Sequence, residues 1–280
     1  MKYVFLFLFG LIFPACAQEK QIDTFKSKSK QLNTSDLFSD PKPPSSSEKR
    51  LALVIGNGSY PGISQLTNAV TDAQEVARSL EEIGFEVMLR TDLNKQGINQ
   101  AIRDFNERLA DYPTAMFYYT GHGVQHEGIN YLVPVDADPH SEADITKECE
   151  PVNHFVAMME EARTGTNIVV LDASYTNPFT RSLGRGAGTK GLASMMPPQG
   201  TYIAYATTPG QTAASGSGSN GLYTQAFVKA IKFTNLTIEE VFKRVRQEVT
   251  QKSDRKQTPW ESSALVGEFY FIRQALIPKR

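Results

Sequence analysis

Short apolar runs and amphipathic stretches alternate along the chain from about residue 50. Such runs are typical of strands buried in a parallel sheet, and they occur at 51–55, 85–89, 115–119, 167–171 and 202–206. Apolar residues at 3.6-residue spacing predict helices, which include Val70 and Leu80, Ile98 and Leu109, Phe155 and Met159, Leu222 and Ile231, and Ile238 and Val249. Two further strands are predicted at 131–135, as the return arm of a hairpin, and at 268–271. The alternation predicts an α/β fold with a mostly parallel central sheet and helices on both faces.

The first 49 residues differ in character from the rest of the chain. Lys2, an apolar run and the small residues around Cys16 predict a signal peptide over residues 1–17, with an apolar stretch too short to be a transmembrane helix. We therefore expect an exported protein, periplasmic or secreted. Cleavage before Cys16 would instead allow a lipid anchor on that residue. Residues 18–49 are rich in Lys, Ser, Asp, Gln and Pro and predict a disordered linker, which leaves one domain over residues 50–275.

Composition narrows the choice of partners and cofactors. The 280 residues are 40% hydrophobic and 21% charged, with a formal net charge of −1, which gives no reason to expect a nucleic-acid partner. The chain has neither a CxxC nor an HExxH motif, and we expect no cofactor. Calcium stays open because acidic side chains follow one another at Asp136, Asp138, Glu142 and Asp144, although their spacing does not match an EF-hand.

Two of the predicted strands end in residues that carry chemistry. The first apolar run leads into Thr120 and then into His122 between two glycines, and the second leads into Asp172 and Ser174. Parallel sheets bind ligands at the carboxyl ends of their strands. A histidine 52 positions before a nucleophile-type residue is the layout of a histidine-assisted hydrolase. His122 taken alone also fits a structural histidine.

From about residue 50 to residue 272 the chain resembles the caspase-like peptidases, most closely the bacterial metacaspase or orthocaspase type. The resemblance rests on segments 51–57, 66–73, 120–123, 131–137, 170–174, 205–210 and 257–261. It implies a caspase-like fold in which His122 would activate a nucleophile at position 174 and the Gly123 amide would help to hold the oxyanion.

The resemblance also implies a substrate class. Peptidases of this type cleave peptides or proteins after Arg or Lys, and the acidic pocket that selects this P1 side chain matches Asp72, Asp172 and Thr120 here. A guanidinium between two carboxylates gains charge-assisted hydrogen bonds. Taken alone, Asp172 also fits a strand or helix cap, and Asp72 also fits a solvated acid on a helix.

The chain departs from the family pattern at the nucleophile itself. Ser174 stands where the family has cysteine, and Tyr175-Thr176 follow it where Arg and then Asn or Asp are common. A serine hydroxyl is far less acidic than a thiol and needs an aligned base during attack. Three interpretations remain open: a catalytically silent protein that binds basic peptides or protein partners, an endopeptidase that uses Ser174 with His122, and a structural or interaction module in which the pocket is a relic.

Overall fold

The computed structural model describes residues 48–173, 178–179, 191–212 and 220–274. The predicted signal peptide, Cys16, nearly all of the predicted linker and Ser174 lie outside these residues. The elements, in chain order, are β1 (Arg50–Gly56), α1 (Ala69–Glu82), β2 (Phe85–Thr91), α2 (Lys95–Leu109), β3 (Thr114–Thr120), β4 (Gly123–His126), β5 (Ile129–Leu132), α3 (Glu142–Glu148), β6 (Glu150–Pro151), α4 (Val152–Glu161), β7 (Thr166–Asp172), β8 (Thr201–Tyr205), α5 (Leu222–Ala230), α6 (Ile238–Lys252) and β9 (Trp260–Ser263).

The central sheet has six strands in the order β2-β1-β3-β7-β8-β9. The first five strands are mutually parallel, and β9 runs antiparallel to β8 at one edge. Helices α1, α5 and α6 contribute to the core on one face of the sheet, and α2 and α4 contribute to the core on the other. The predicted α/β class, with a mostly parallel sheet between two layers of helices, is confirmed.

The central strands are apolar throughout because both of their faces are covered. In β3, every residue is buried. Phe117 stacks on Phe155 of α4 with ring centroids 4.0 Å apart, and its neighbour Tyr118 faces Phe227 of α5 on the opposite side at 6.1 Å. Successive residues of the strand therefore point into two separate cores. Both sets are apolar, so the strand lacks the alternation of apolar and polar residues seen when one face is exposed to solvent.

A small second sheet begins directly after β3. Strands β4 and β5 form an antiparallel hairpin, and the two-residue β6 pairs with β5. The predicted return arm at 131–135 corresponds to β5, which begins and ends earlier, at Ile129–Leu132. Val133 then donates its backbone N–H to the carbonyl of His122, so the hairpin fixes the turn that carries this histidine.

The prediction of a strand at 268–271 is wrong. Phe269 and Phe271 are buried in the core shared with α5 and α6, and within the segment only Tyr270 forms an isolated bridge, to Thr237. The alternation there reflects two aromatic anchors. The last strand of the sheet is instead β9, whose residues are exposed or half-buried, so its sequence carries no strand-like pattern. Within the described ranges, no helix is both long enough and apolar enough to cross a membrane.

Candidate active site

Three central strands end side by side at one edge of the sheet. Gly56 of β1 pairs in register with Thr120 of β3, and Thr120 pairs with Asp172 of β7. His122 lies two residues beyond β3. The edge formed by the carboxyl ends of parallel strands is where such sheets bind ligands, and it holds these sequence-predicted residues.

Two tyrosine hydroxyls hold the backbone of His122 in place. The N–H of His122 donates to Tyr60 Oη at 3.0 Å, and Tyr119 Oη donates to the His122 carbonyl at 2.8 Å. A Cβ on Gly121 would lie 2.5 Å from Tyr119 Oη and 2.9 Å from Tyr60 Oη, too close for any side chain. Glycine before the histidine is therefore a steric requirement of the tyrosine pair.

The ring of His122 is held by a backbone carbonyl. Its Nε2 lies 2.6 Å from the carbonyl oxygen of Ser64, and its ring meets that of Tyr60 edge-on with centroids 4.7 Å apart. A carbonyl oxygen can only accept, so Nε2 carries the proton and Nδ1 is the basic nitrogen. Burial lowers the pKa of His122, against the opposing effect of the Ser64 carbonyl. The imidazole is thus presented as a neutral base of defined tautomer.

Gly123 packs directly on the end of β7. A Cβ at this position would lie 2.9 Å from the carbonyl oxygen of Ala173 and 3.0 Å from a methyl carbon of Leu192. The turn that carries His122 and the strand that leads to position 174 are therefore in backbone contact. Ser174 itself lies outside the described residues, and its role and the oxyanion role of Gly123 stay predictions.

The two acids of the predicted P1 pocket lie together beneath the start of α5. Asp72 of α1 and Asp172 of β7 are 2% and 4% exposed. A Cβ built on Gly221 would lie 3.0 Å from Oδ2 of Asp72 and 4.0 Å from Oδ2 of Asp172, so both oxygens surround one point. The structure does not bear out Asp72 as a solvated helix acid, because the N-terminus of α5 covers it.

Asp72 has two partners that can only donate, and it also bonds to the Thr224 hydroxyl. Its Oδ1 accepts hydrogen bonds from Asn220 Nδ2 at 2.9 Å and from the backbone N–H of Gly221 at 2.9 Å. Gly221 is the N-cap of α5, where unpaired amides and the helix dipole favour negative charge. Burial raises the pKa of Asp72, and these hydrogen bonds act in the opposite direction.

The partners of Asp172 are hydroxyls. Thr224 Oγ1 lies 3.2 Å and Tyr118 Oη lies 3.5 Å from its Oδ2, and the two hydroxyls are 2.8 Å apart. Burial, together with the nearby charge of Asp72, raises the pKa of Asp172 to about 7, while the two hydroxyls act against the rise. Neither acid forms an ion pair with a described Lys, Arg or His.

Thr120, the third residue predicted for the P1 pocket, is the last residue of β3. Its side chain is on the same face of the sheet as Tyr118 because the two residues are two positions apart in a strand. It is 1% exposed, and within the described part of the chain its Oγ1 has no hydrogen-bond partner. A buried hydroxyl of this kind is unusual, and it lies beside Asp172 in the register.

Comparison with known proteins identifies the family of this chain. Residues 49–270 match the caspase domain family. The chain belongs to the caspase family. It is also 31% identical over 124 residues to human mucosa-associated lymphoid tissue lymphoma translocation protein 1, and 32% identical over 124 residues to the mouse homolog. These stretches cover 44% of this chain but only 15% and 14% of the two relatives.

The predicted relationship to caspase-like peptidases is therefore confirmed. The sequence missed several residues of this site. Ser64 acts through its carbonyl, and Gly221 through its amide, so neither has a side-chain signal. Asn220 and Gly221 stand at the end of a run of small residues before a predicted helix, and nothing in that run marks them as partners of Asp72.

The acids proposed for calcium do not converge. Asp136 Oδ1 accepts the backbone N–H of Lys95 at the start of α2, and Asp144 accepts from Ser141. Among the described residues, no three His, Cys, Asp or Glu side chains are arranged to hold a metal ion.

Proposed function

We propose that this caspase domain binds peptides or proteins through an Arg or Lys side chain, and that it cleaves them weakly or not at all. The observation that carries the binding proposal is the pair of buried carboxylates without a described counter-charge. Burying an unpaired charge is costly, and a guanidinium or ammonium entering this pocket would neutralise it. Thr120 Oγ1 offers that ligand a further acceptor.

The proposal of weak or absent cleavage rests on the serine at position 174. His122 as a neutral base suits a cysteine, whose thiol ionises near pH 8.5. A serine must lose its proton during attack, and the histidine must then carry a positive charge in a buried site. Burial already disfavours the protonated form of His122. The contact to Nε2 comes from a carbonyl, which carries only a partial charge and offsets this cost less than a carboxylate would.

A second candidate function is an endopeptidase that uses Ser174. The observation in its favour is the fixed tautomer of His122, because a backbone carbonyl supplies the orienting contact that a serine nucleophile requires. The two candidates differ in turnover and share the pocket.

One assay distinguishes the two candidates. We expect no His122-dependent turnover of an Arg-reporter peptide by the purified domain, and turnover at least about a hundredfold higher in Ser174→Cys, since acid–base assistance contributes about 10²–10⁴. His122→Ala is the control in both backgrounds. Clear His122-dependent turnover by the natural chain would favour the second candidate. No gain in Ser174→Cys would contradict the proposal that the serine is what limits cleavage.

Binding is tested separately, with peptides that end in Arg or in norleucine and are otherwise identical. One charge-assisted contact contributes about 1.5–3 kcal/mol, so the Arg peptide should bind about ten- to a hundredfold more tightly. Equal affinity in calorimetry would contradict the acidic pocket and favour an interaction module of another kind.

We also propose that the domain is exported, by cleavage after residue 17 or with a lipid on Cys16. Mass spectrometry of the protein from its source cell should find an N-terminus at Gln18 or a modified Cys16. A mature chain that retains the apolar segment would contradict export by this route.

A further inference from the structure

Among the described residues, the groups around Asp72 and Asp172 cannot neutralise two negative charges. Asp72 comes from α1 and Asp172 from β7, and the described titratable groups that face them are Tyr118 of β3 and Tyr223 of α5. Burial raises the pKa of both tyrosines well above the ordinary value, so they stay neutral. No described cation faces the pair. Two carboxylates in such a site cannot both ionise without a large cost.

We propose that Asp72 and Asp172 together hold one proton in the unliganded protein, and that a basic side chain enters the pocket in exchange for it. This inference rests on the proposed binding of Arg or Lys. The exchange is balanced in charge. The carboxyl O–H bond breaks, the proton passes to solvent water, and a guanidinium or ammonium takes its place, so the net pocket charge is −1 before and after binding.

The hydrogen-bond partners indicate which acid holds the proton. The Thr224 hydroxyl bonds to both acids. Asp72 also faces Asn220 Nδ2 and the Gly221 N–H, which can only donate and therefore favour a carboxylate. Asp172 faces the hydroxyls of Thr224 and Tyr118. A hydroxyl donates or accepts, so this pair can serve a carboxylate and, after rotation, accept from a carboxylic acid. The proton is thus held on Asp172, the acid whose pKa is raised to about 7, chiefly by burial.

Proton exchange makes recognition of a basic side chain dependent on pH. Below the pKa of the pair, binding must remove a proton, so the preference for Arg over norleucine rises about tenfold per pH unit. Above it the proton is already gone and the preference is constant. The norleucine peptide removes no proton, and any effect of His122 on the shared peptide backbone cancels in the ratio.

The test is calorimetry of the purified domain with product peptides ending in Arg or norleucine, at pH 5.5, 6.5, 7.5 and 8.5 and constant ionic strength. At each pH, two buffers of different ionisation enthalpy report the number of protons released. We expect the affinity ratio to rise about tenfold between pH 5.5 and 6.5 and to level off above about pH 7.5. About one proton should be released per Arg peptide at low pH, and none by norleucine.

Asp172→Asn mimics the protonated pair and should give a small ratio that does not change with pH. Asp111→Asn is the matched control, because Asp111 is exposed and precedes the amino end of β3. The two buried acids lie at the other end of the strands. A ratio well above one that is constant with pH, with no proton release, would overturn the exchange and leave the proposed function intact. A ratio of one at every pH would overturn the proposed function as well. The natural chain alone gives this answer if Asp172→Asn does not fold.

Discussion

The turn that carries His122, between β3 and β4, and the pair of acids Asp72 and Asp172 lie at the same ends of the parallel strands. The two regions differ in the hydrogen-bond and charge partners that surround them. Around His122, the backbone N–H, the backbone carbonyl and the ring each have a defined partner, in Tyr60, Tyr119 and Ser64. In the pocket, two buried acids have hydrogen-bond donors but no described counter-charge. The backbone and ring of His122 thus have partners within the protein, whereas the two acids have no partner of opposite charge among the described residues, and we propose that a ligand supplies one.

We expect the two regions to contribute differently to the stability of the domain and to its affinity for a ligand. Hydrogen bonds between buried neutral groups contribute about 1 kcal/mol each and hold the turn in one geometry. A buried acid whose pKa is raised makes the folded state less stable at neutral pH. Mutations in the turn should therefore lower the stability of the domain, whereas mutations of the two acids should change ligand affinity and the dependence of stability on pH.

Gly121→Ala should have the largest effect on stability. The added Cβ would lie 2.5 Å from Tyr119 Oη, so the tyrosine pair or the turn must move. We expect the free energy of unfolding to fall by about 1–3 kcal/mol, as for overpacked sites. Gly62→Ala is the control because a Cβ added at that position would meet nothing within 4 Å. Equal effects in denaturant unfolding would show that the turn is not tightly packed.

Asp172→Asn should make the domain relatively more stable as the pH rises. The folded pKa of about 7 is above the ordinary value of 3.8, so the folded state holds the proton more tightly and stability falls between about pH 4 and 7 as it is lost. Asparagine removes this loss, and the variant should gain about 1–2 kcal/mol on the natural chain between pH 6 and 8. Parallel stability curves for the two proteins would contradict the buried acid.

Tyr60→Phe should have a smaller effect, confined to the turn. It keeps the ring contact to His122 but removes the oxygen that accepts the His122 N–H. A buried donor left without a partner costs about 1–2 kcal/mol. Tyr270→Phe is the matched control, because that hydroxyl is bonded to Glu268 at the surface, and we expect about 0.5 kcal/mol or less. The affinity for the Arg peptide should be unchanged in both variants. This result would show that the turn around His122 does not contribute to recognition of the basic side chain.

The parts of the fold that the sequence predicted are those whose burial leaves a pattern. Strands β1, β3 and β7 are covered on both faces and read as apolar runs, and the long helices have one apolar stripe. The missed elements are short or lie at an edge: α3 has one buried residue, and β9 has none. Phe269 and Phe271 led to the wrong prediction of a strand because two buried residues two positions apart have the same spacing as the buried residues of a strand.

The sequence could predict those residues of the site that directly follow a buried strand or end it. His122 and Asp172 follow apolar runs and could be found from that position. Asp72 looks like an ordinary helix acid, and only the resemblance to caspase-like peptidases indicated a role for it. The contacts of Ser64 and Gly221 are made by backbone groups, which every residue has, so no residue type marks them in the sequence.

The central claim is that the acidic pocket recognises a basic side chain, and Asp172→Asn tests it most directly. The measurement is the ratio of affinities for the Arg and norleucine peptides at pH 8, by calorimetry, in the natural chain, in Asp172→Asn and in Asp111→Asn. We expect a ratio of about ten to a hundred in the natural chain and in Asp111→Asn, and a ratio close to one in Asp172→Asn. A ratio that Asp172→Asn leaves unchanged would contradict the account, because the preference for Arg would then arise outside this pocket.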